Sequence, residues 1–127
     1  MVEIKRPPVL RPVVWLGNSK KNLLEFPKEA QSIIGFKLMV IQSGNTPTDT
    51  KPFKGVGSGV FEIALKLDKE AYRCVQAVQL GKKIYILHAF QKKSKKGIET
   101  PKQDVDLIKR RYKEAKELAK DEKENQN

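Results

Sequence analysis

The alternation of apolar and polar residues predicts four short strands. Residues 13–16 (VVWL) form an apolar run that ends at Gly17-Asn18, which is typical of a strand followed by a turn. Residues 59–67 (GVFEIALKL) alternate, with Phe61, Ile63, Leu65 and Leu67 on one face, as in a half-buried strand. Residues 72–80 (YRCVQAVQL) and 83–93 (KIYILHAFQKK) supply two more apolar runs. The short connections between the last three strands favour antiparallel neighbours.

Helical periodicity and capping residues predict three helices. Asn18 or Ser19 is a suitable cap for a short helix through Phe26. A second helix runs from Pro27 to Ser43 and ends at Gly44. Its buried face comprises Ala30, Ile34, Leu38 and Ile41. Within that helix, Gly35 suggests a close approach to the sheet.

The third helix is predicted from its first turn. Thr100 as N-cap, Pro101 at the first helical position and Gln103 form a capping box. The apolar stripe that follows consists of Val105, Ile108, Tyr112, Ala115 and Ala119.

These elements predict an α+β domain: a small, mainly antiparallel sheet in the order β-α-α-β-β-β-α, with helices packed on it. Residues 44–59 are predicted to be loop because of their composition. We expect an extended lead-in over residues 1–10, one domain over 11–120 and a frayed tail over 121–127.

The charge of the chain adds an expected partner class. The 127 residues carry a net charge of +11. Residues 102–127 hold eight basic and seven acidic side chains, so the excess lies elsewhere, and residues 82–98 hold six lysines and no acid. This balance favours an anionic partner, either nucleic acid or an anionic surface.

Cysteine content and hydropathy exclude other classes. The single cysteine, Cys74, rules out an internal disulfide and a cysteine-based zinc cluster. No apolar run is long enough to predict a membrane span or a signal peptide. We expect a soluble cytoplasmic protein with no membrane partner.

Two features invite a catalytic interpretation and also have a simpler one. The stretch GVGSG (55–59) lacks the spacing and the Lys-Ser/Thr ending of a phosphate-binding loop, so a turn whose glycines adopt positive φ is favoured. His88 has no companion ligands for a metal. A strand histidine with one hydrogen-bond partner is favoured over catalysis on the residues alone.

Positive side chains near the predicted sheet form the candidate site. Arg73 lies in an apolar strand and must be paired or lie beside an opening; a salt bridge to Glu62 and a functional role are both open. The other candidates are Lys51, Lys54, Lys92, Lys93, Lys95 and Lys96. Charges of this sign around one concavity suit a phosphodiester, although the 92–96 group also fits a solvated loop.

Strict alternation divides the last strand into two faces. It groups His88 with Ile84, Ile86, Phe90 and Lys92, and it places Lys93 on the opposite face. Both faces begin apolar, so the pattern leaves open which of Lys92 and Lys93 points into a cleft.

The stretches RPVVWLGNSKKNLLEFPKEAQSIIGFKL, TKPFKGVGSGVFEI, YR and IYILHAFQKKSKKGIETPKQD resemble the RelE/HigB-like toxins of type II toxin–antitoxin modules. More narrowly, they resemble the phage-derived Gp49-like branch. The resemblance covers about residues 11 to 118, in motif order.

This resemblance implies a RelE-like fold and a metal-independent mRNA interferase, an endoribonuclease that cuts messages in the ribosomal A site without a cofactor. It also implies an antitoxin partner, expected to be a small helix-turn-helix protein encoded next to this chain. Arg73 and Lys93, or its neighbour Lys92, match catalytic basic positions of the family, and His88 is a candidate for proton transfer. Lys51, Lys54, Lys95 and Lys96 are the predicted RNA-binding residues. The alternatives are an inactive RNA- or ribosome-binding homologue and a basic scaffold for an acidic protein.

Overall fold

A five-stranded sheet organises the chain in the computed structural model, which describes residues 9–92 and 100–125. In chain order the elements are β1 (Val13–Trp15), α1 (Ser19–Leu24), α2 (Lys28–Gln42), β2 (Thr50–Pro52), β3 (Val60–Leu67), β4 (Glu70–Ala77), β5 (Ile84–Lys92) and α3 (Lys102–Asn125). The strand order in the sheet is β1-β5-β4-β3-β2. The β1–β5 pair is parallel and the other three pairs are antiparallel. The predicted α+β class is therefore confirmed.

Tight turns set the register of the central strands. The β3–β4 connection is Asp68-Lys69, and both residues have positive φ, 49° and 69°. Two consecutive positive φ values give the two-residue hairpin turn whose twist matches that of the flanking strands. Gly81, with φ of 76°, turns the chain between β4 and β5.

Helices cover both faces of the sheet and divide the core in two. The first face, called the α2 face, packs against α1 and α2 through Ile63, Cys74 and Ile86. The second, the α3 face, packs against α3 through Val75, Tyr85 and Leu87. The apolar positions predicted for α2 and α3 lie in these two cores: Ala30, Ile34, Leu38 and Ile41 in the first, and Val105, Ile108, Tyr112, Ala115 and Ala119 in the second.

The third helix runs antiparallel to β5 along the sheet. It begins at Lys102, and the carbonyl of Pro101 accepts hydrogen bonds from the N–H groups of Asp104 and Val105 at 3.0 and 3.1 Å. The helix continues past Lys120, where fraying was predicted, to Asn125. Near its end, Glu122 forms an ion pair with Lys83 at 3.4 Å.

Three local predictions are corrected. The 44–59 segment contains a short edge strand, β2, so the described order is β-α-α-β-β-β-β-α. Gly35 does not approach the sheet: it is exposed, and an added Cβ would meet no atom within 4 Å. Asn18 occupies the cap position of α1 without making a side-chain cap hydrogen bond. The glycine prediction for 55–59 is confirmed at Gly55 and Gly59, whose φ values are 89° and 74°.

A β-bulge in β5 overturns the predicted division of that strand into faces. Val75 pairs with His88, but the next residue of β4, Gln76, pairs with Ile86, so Leu87 is the extra residue. Ile84 and Ile86 pack in the core of the α2 face, whereas Phe90 packs in the core of the α3 face. Strict alternation fails because the extra residue shifts everything after it to the opposite face.

Candidate functional site

Directly opposed residues bring the candidate cations onto one face of the sheet. One row across the strands consists of Lys51, Glu62, Val75 and His88. The next row contains Ala64, Arg73 and Phe90, and the one beyond it contains Lys66, Ala71 and Lys92. Opposed residues share a face, and Val75 and Phe90 belong to the α3 core, so these rows lie on the α3 face. Successive rows are about 7 Å apart along a strand.

The geometry therefore places basic side chains from four strands on one face of the sheet. Lys51 and Lys66 are exposed, Arg73 is partly buried and Lys92 is 8% exposed. Lys92 makes interactions within the protein. Phe90 lies directly opposite Arg73, and Lys92 is two residues further along β5. Lys92 therefore lies on the same face of the sheet as Arg73.

Arg73 is held by an acid on the neighbouring strand. Its Nε lies 2.8 Å from Oε1 of Glu62, and the two side chains are 15% and 8% exposed. The Nε–H group is not well aligned with the carboxylate, so the contact is an ion pair more than a hydrogen bond. Nη1 donates to the carbonyl of Tyr72 at 3.2 Å. The salt bridge to Glu62 that the sequence left open is thus present.

His88 is fastened to the start of α3. Its Nε2 lies 2.8 Å from Oδ1 of Asp104, in the first turn of the helix, and its ring stacks on Phe90 with the centroids 4.7 Å apart. Burial lowers the pKa of His88 below 6.5, the hydrogen bond and charge of Asp104 act in the opposite direction, and the charge of Arg111 lowers the pKa further. The residue is 5% exposed, and Nδ1 is buried without a partner among the described residues. The predicted hydrogen-bond partner of His88 is confirmed.

The remaining predicted lysines fall in two groups. Lys54 is exposed in the loop between β2 and β3, beyond the edge strand that carries Lys51. Lys93, Lys95 and Lys96 lie outside the described residues.

Sequence reasoning missed three polar residues that shape this face. Asp104 and Lys66 were not among the predicted site residues. Arg111 was not singled out at all, yet it is only 9% exposed. The one available signal was the helical spacing of Arg111, which is three residues after Ile108 and four before Ala115. A charged side chain so close to the apolar stripe of a helix needs a partner.

Other kinds of chemistry find little support in the described part of the chain. No group of three or more His, Cys, Asp or Glu residues there is arranged to hold a metal ion. Burial raises the pKa of the Cys74 thiol to about 12, so it is protonated and not a nucleophile near neutral pH. None of the helices in residues 9–92 and 100–125 is both long enough and apolar enough to cross a membrane.

Comparison with known proteins gives one family. No curated protein is similar enough to count as a relative. The family model described as phage derived protein Gp49-like (DUF891) matches residues 21–113, which include every strand from β2 to β5 and the first half of α3. Since this match spans well over half of the chain, the protein belongs to the phage-derived Gp49-like family.

Proposed function

We propose that this protein is the toxin of a toxin–antitoxin module and acts in the cytoplasm as a metal-independent, ribosome-associated mRNA endoribonuclease. Its membership of the Gp49-like family and its resemblance to RelE/HigB-like toxins support the assignment. The single observation that carries it is the presence of Lys51, Lys66, Arg73 and Lys92 on one face of the sheet, in the row that holds His88 and the two rows beyond it.

The reaction explains why cations are needed there. The 2′-hydroxyl of one nucleotide attacks the adjacent phosphorus, and a base takes the hydroxyl proton. The bond to the 5′-oxygen then breaks, and that oxygen gains a proton, leaving a 2′,3′-cyclic phosphate and a 5′-hydroxyl. Negative charge on the phosphate oxygens grows in the transition state, so fixed positive groups lower the barrier.

Arg73 is the proposed phosphate-binding residue. The guanidinium stays charged, and its N–H groups form strong hydrogen bonds to phosphate oxygens. Because Nε faces Glu62 and Nη1 faces the Tyr72 carbonyl, Nη2 is the donor expected to reach substrate. Lys92, or Lys93 from the segment that follows β5, is proposed to stabilise the developing charge. Lys51, Lys54, Lys95 and Lys96 are proposed to bind the RNA backbone.

Two roles are proposed for His88, and they have different consequences. As a proton-transfer group it would give a pH–rate profile that changes when it is replaced. Its hydrogen bond with Asp104 and its stacking on Phe90 favour the other role, in which it fastens α3 to β5 beside the site. His88→Asn separates them: loss of rate with unchanged stability supports proton transfer, and loss of stability supports anchoring.

The Arg73–Glu62 pair favours a second candidate function. A carboxylate that already faces the guanidinium competes with a phosphate for it. On this alternative, the protein is a homologue that binds RNA or ribosomes and cuts weakly or not at all.

Expression alone and with the adjacent gene tests the proposal. Production of the wild-type chain should arrest growth and stop translation, and co-expression of a neighbouring helix-turn-helix protein should relieve the arrest. The matched control is the Arg73→Met/Glu62→Met variant, which removes both members of the ion pair together. Normal growth with abundant folded wild-type protein contradicts the proposed toxin.

A further inference from the structure

The bulge in β5 decides which side chains reach the candidate site. Leu87 is the extra residue, and it is followed by His88, Phe90 and Lys92. Without it, strict alternation would place Phe90 and Lys92 with Ile86 on the α2 face, away from Arg73. The presence of Phe90 and Lys92 on the face of Arg73 thus depends on the bulge at Leu87.

A bulge leaves backbone groups outside the regular ladder, and these groups need partners. The carbonyl of Leu87 has one: Nη1 of Arg111, on α3, donates to it at 2.9 Å. This is a long-range bond between a helix side chain and the bulged residue itself.

The turn after β1 is built around the same guanidinium. Nη2 of Arg111 donates to Oδ1 of Asn18 at 2.6 Å. A Cβ at Gly17 would lie 2.4 Å from that Nη2, and the φ of Gly17 is 51°, so both space and backbone conformation favour glycine. The Gly17-Asn18 turn, Arg111 and the Leu87 carbonyl thus form one unit, which we call the bulge clamp.

We infer that Arg111 is a positioning residue for the candidate site, because it holds the Leu87 carbonyl and so fixes the bulge that turns Phe90 and Lys92 toward Arg73. Arg111 does not itself reach substrate; it is 9% exposed, and its donors are directed at the clamp. The expected effect of Arg111 on cleavage rests on the proposed function. Its expected effect on the bulge rests on the fold alone.

The chain offers a direct spectroscopic reporter of the clamp. His88 is the only histidine, so its ring signals in an NMR spectrum are unambiguous. It directly follows the bulged residue and stacks on Phe90, so its chemical shifts report the local arrangement. The charge of Arg111 also acts on His88 directly, so the decisive variant is Asn18→Ala, which keeps that charge. A merely stabilising role of the clamp would lower the melting temperature of Asn18→Ala and leave the His88 signals of the folded protein where they are.

The test compares Arg111→Met with Arg110→Met. Both variants lose one positive charge at neighbouring positions of α3, but Arg110 is exposed and lies outside the clamp. In Arg111→Met we expect the His88 ring signals to shift. The titration of His88 is no readout of the bulge in this variant, because the charge of Arg111 itself lowers the pKa of His88 and its loss raises that pKa without any change of the bulge. We also expect kcat on ribosome-bound message to fall by up to about a hundredfold, as misplaced catalytic groups can cause, with KM changed little. Arg110→Met should match the wild type in all three.

A second pair of variants keeps the inference testable if Arg111→Met does not fold. Asn18→Ala removes only one partner of the guanidinium and should shift the His88 signals in the same direction, by less. Arg111→Lys keeps a single donor near Leu87 and should restore part of the wild-type signals. Unchanged His88 signals in folded Arg111→Met or in Asn18→Ala overturn the inference.

Failure of the proposed function gives a different pattern. If wild-type protein does not cut the message while the His88 signals respond to Asn18→Ala, the enzymatic proposal is wrong and the clamp still sets the bulge. If the wild type cuts and the signals do not respond, the clamp is wrong and the enzymatic proposal stands.

Discussion

The Nε atom of Arg73 lies 2.8 Å from Oε1 of Glu62, between two strands whose register makes the residues diagonal neighbours. Both side chains are largely buried, so each charge depends on the other. The same guanidinium therefore stabilises the buried charge of Glu62 and is the proposed phosphate ligand. Mutagenesis must separate these two roles of Arg73.

Replacing Arg73 by Ala should destabilise the fold as well as abolish cleavage. The change leaves Glu62 buried without its counter-ion, which should cost about 3 kcal/mol in the free energy of unfolding, the lower end for a broken buried pair. Urea unfolding of the variant and the wild type measures this cost.

The double variant Arg73→Met/Glu62→Met is the matched control for that loss. Apolar side chains of similar length in place of both charges should return most of the stability while cleavage stays absent. Wild-type cleavage by the folded double variant would show that Arg73 is only a structural residue.

Stability should fall on acidification below about pH 6.5 in a way that depends on His88. Burial lowers the pKa of the folded histidine, so the unfolded state binds a proton that the folded state does not. The contribution is complete above pH 6.5 and is lost as the pH falls toward the lowered pKa. Unfolding free energies of the wild type and His88→Asn from pH 5 to 8 measure it, and we expect a flatter curve for the variant; parallel curves would exclude His88 as the source.

Gln76 should be replaceable by an apolar residue with a gain in stability. It is fully buried between Phe61 and Ile86 in the ladder, and neither its amide nitrogen nor its amide oxygen has a partner among the described residues. An unsatisfied buried polar group costs about 1–3 kcal/mol, so Gln76→Met should raise the melting temperature. The control is Gln79→Met, at an exposed position nearby, which should not raise the melting temperature. A lower melting temperature for Gln76→Met would mean that the Gln76 amide has hydrogen-bond partners in solution.

The sequence was sufficient for the main elements and for the cores, because those depend on long periodic patterns such as 60–67 and the stripe from Val105 to Ala119. It missed β2, whose three residues include Pro52 and lie in a polar loop; only pairing with β3 defines this strand.

The candidate site was harder to predict than the fold for a similar reason. Charge and resemblance were enough to select the candidate cations. The face of the sheet on which Lys92 lies depends on the bulge at Leu87, and the apolar pattern of the sequence does not reveal that bulge. The clamp is a contact between Arg111 and a backbone carbonyl 24 positions away, and such pairs are invisible to any local rule.

Binding of RNA should weaken steeply with salt, and removal of a site lysine should reduce that dependence. Each phosphate contact to a single strand contributes a slope of about −0.7 in log K against log salt, so Lys51→Ala should make the slope shallower by about 0.7. Lys20→Ala is the control, since Lys20 is exposed on α1, which packs on the opposite face of the sheet. Equal slopes for wild type and Lys51→Ala would remove Lys51 from the RNA-binding surface.

Mapping of message ends after incubation with purified protein and ribosomes tests the central claim most directly. Samples contain message with or without ribosomes, and the protein is wild type or Arg73→Met/Glu62→Met. A further arm adds EDTA after ribosomes have been fixed on the message by chemical cross-linking, so that removal of Mg²⁺ does not disperse them. We predict cuts within ribosome-bound message that carry 5′-hydroxyl and 2′,3′-cyclic phosphate ends, persist in EDTA and are absent with the double variant. Intact message with folded wild-type protein, or cuts that carry 5′-phosphate ends and vanish in EDTA, would contradict the account.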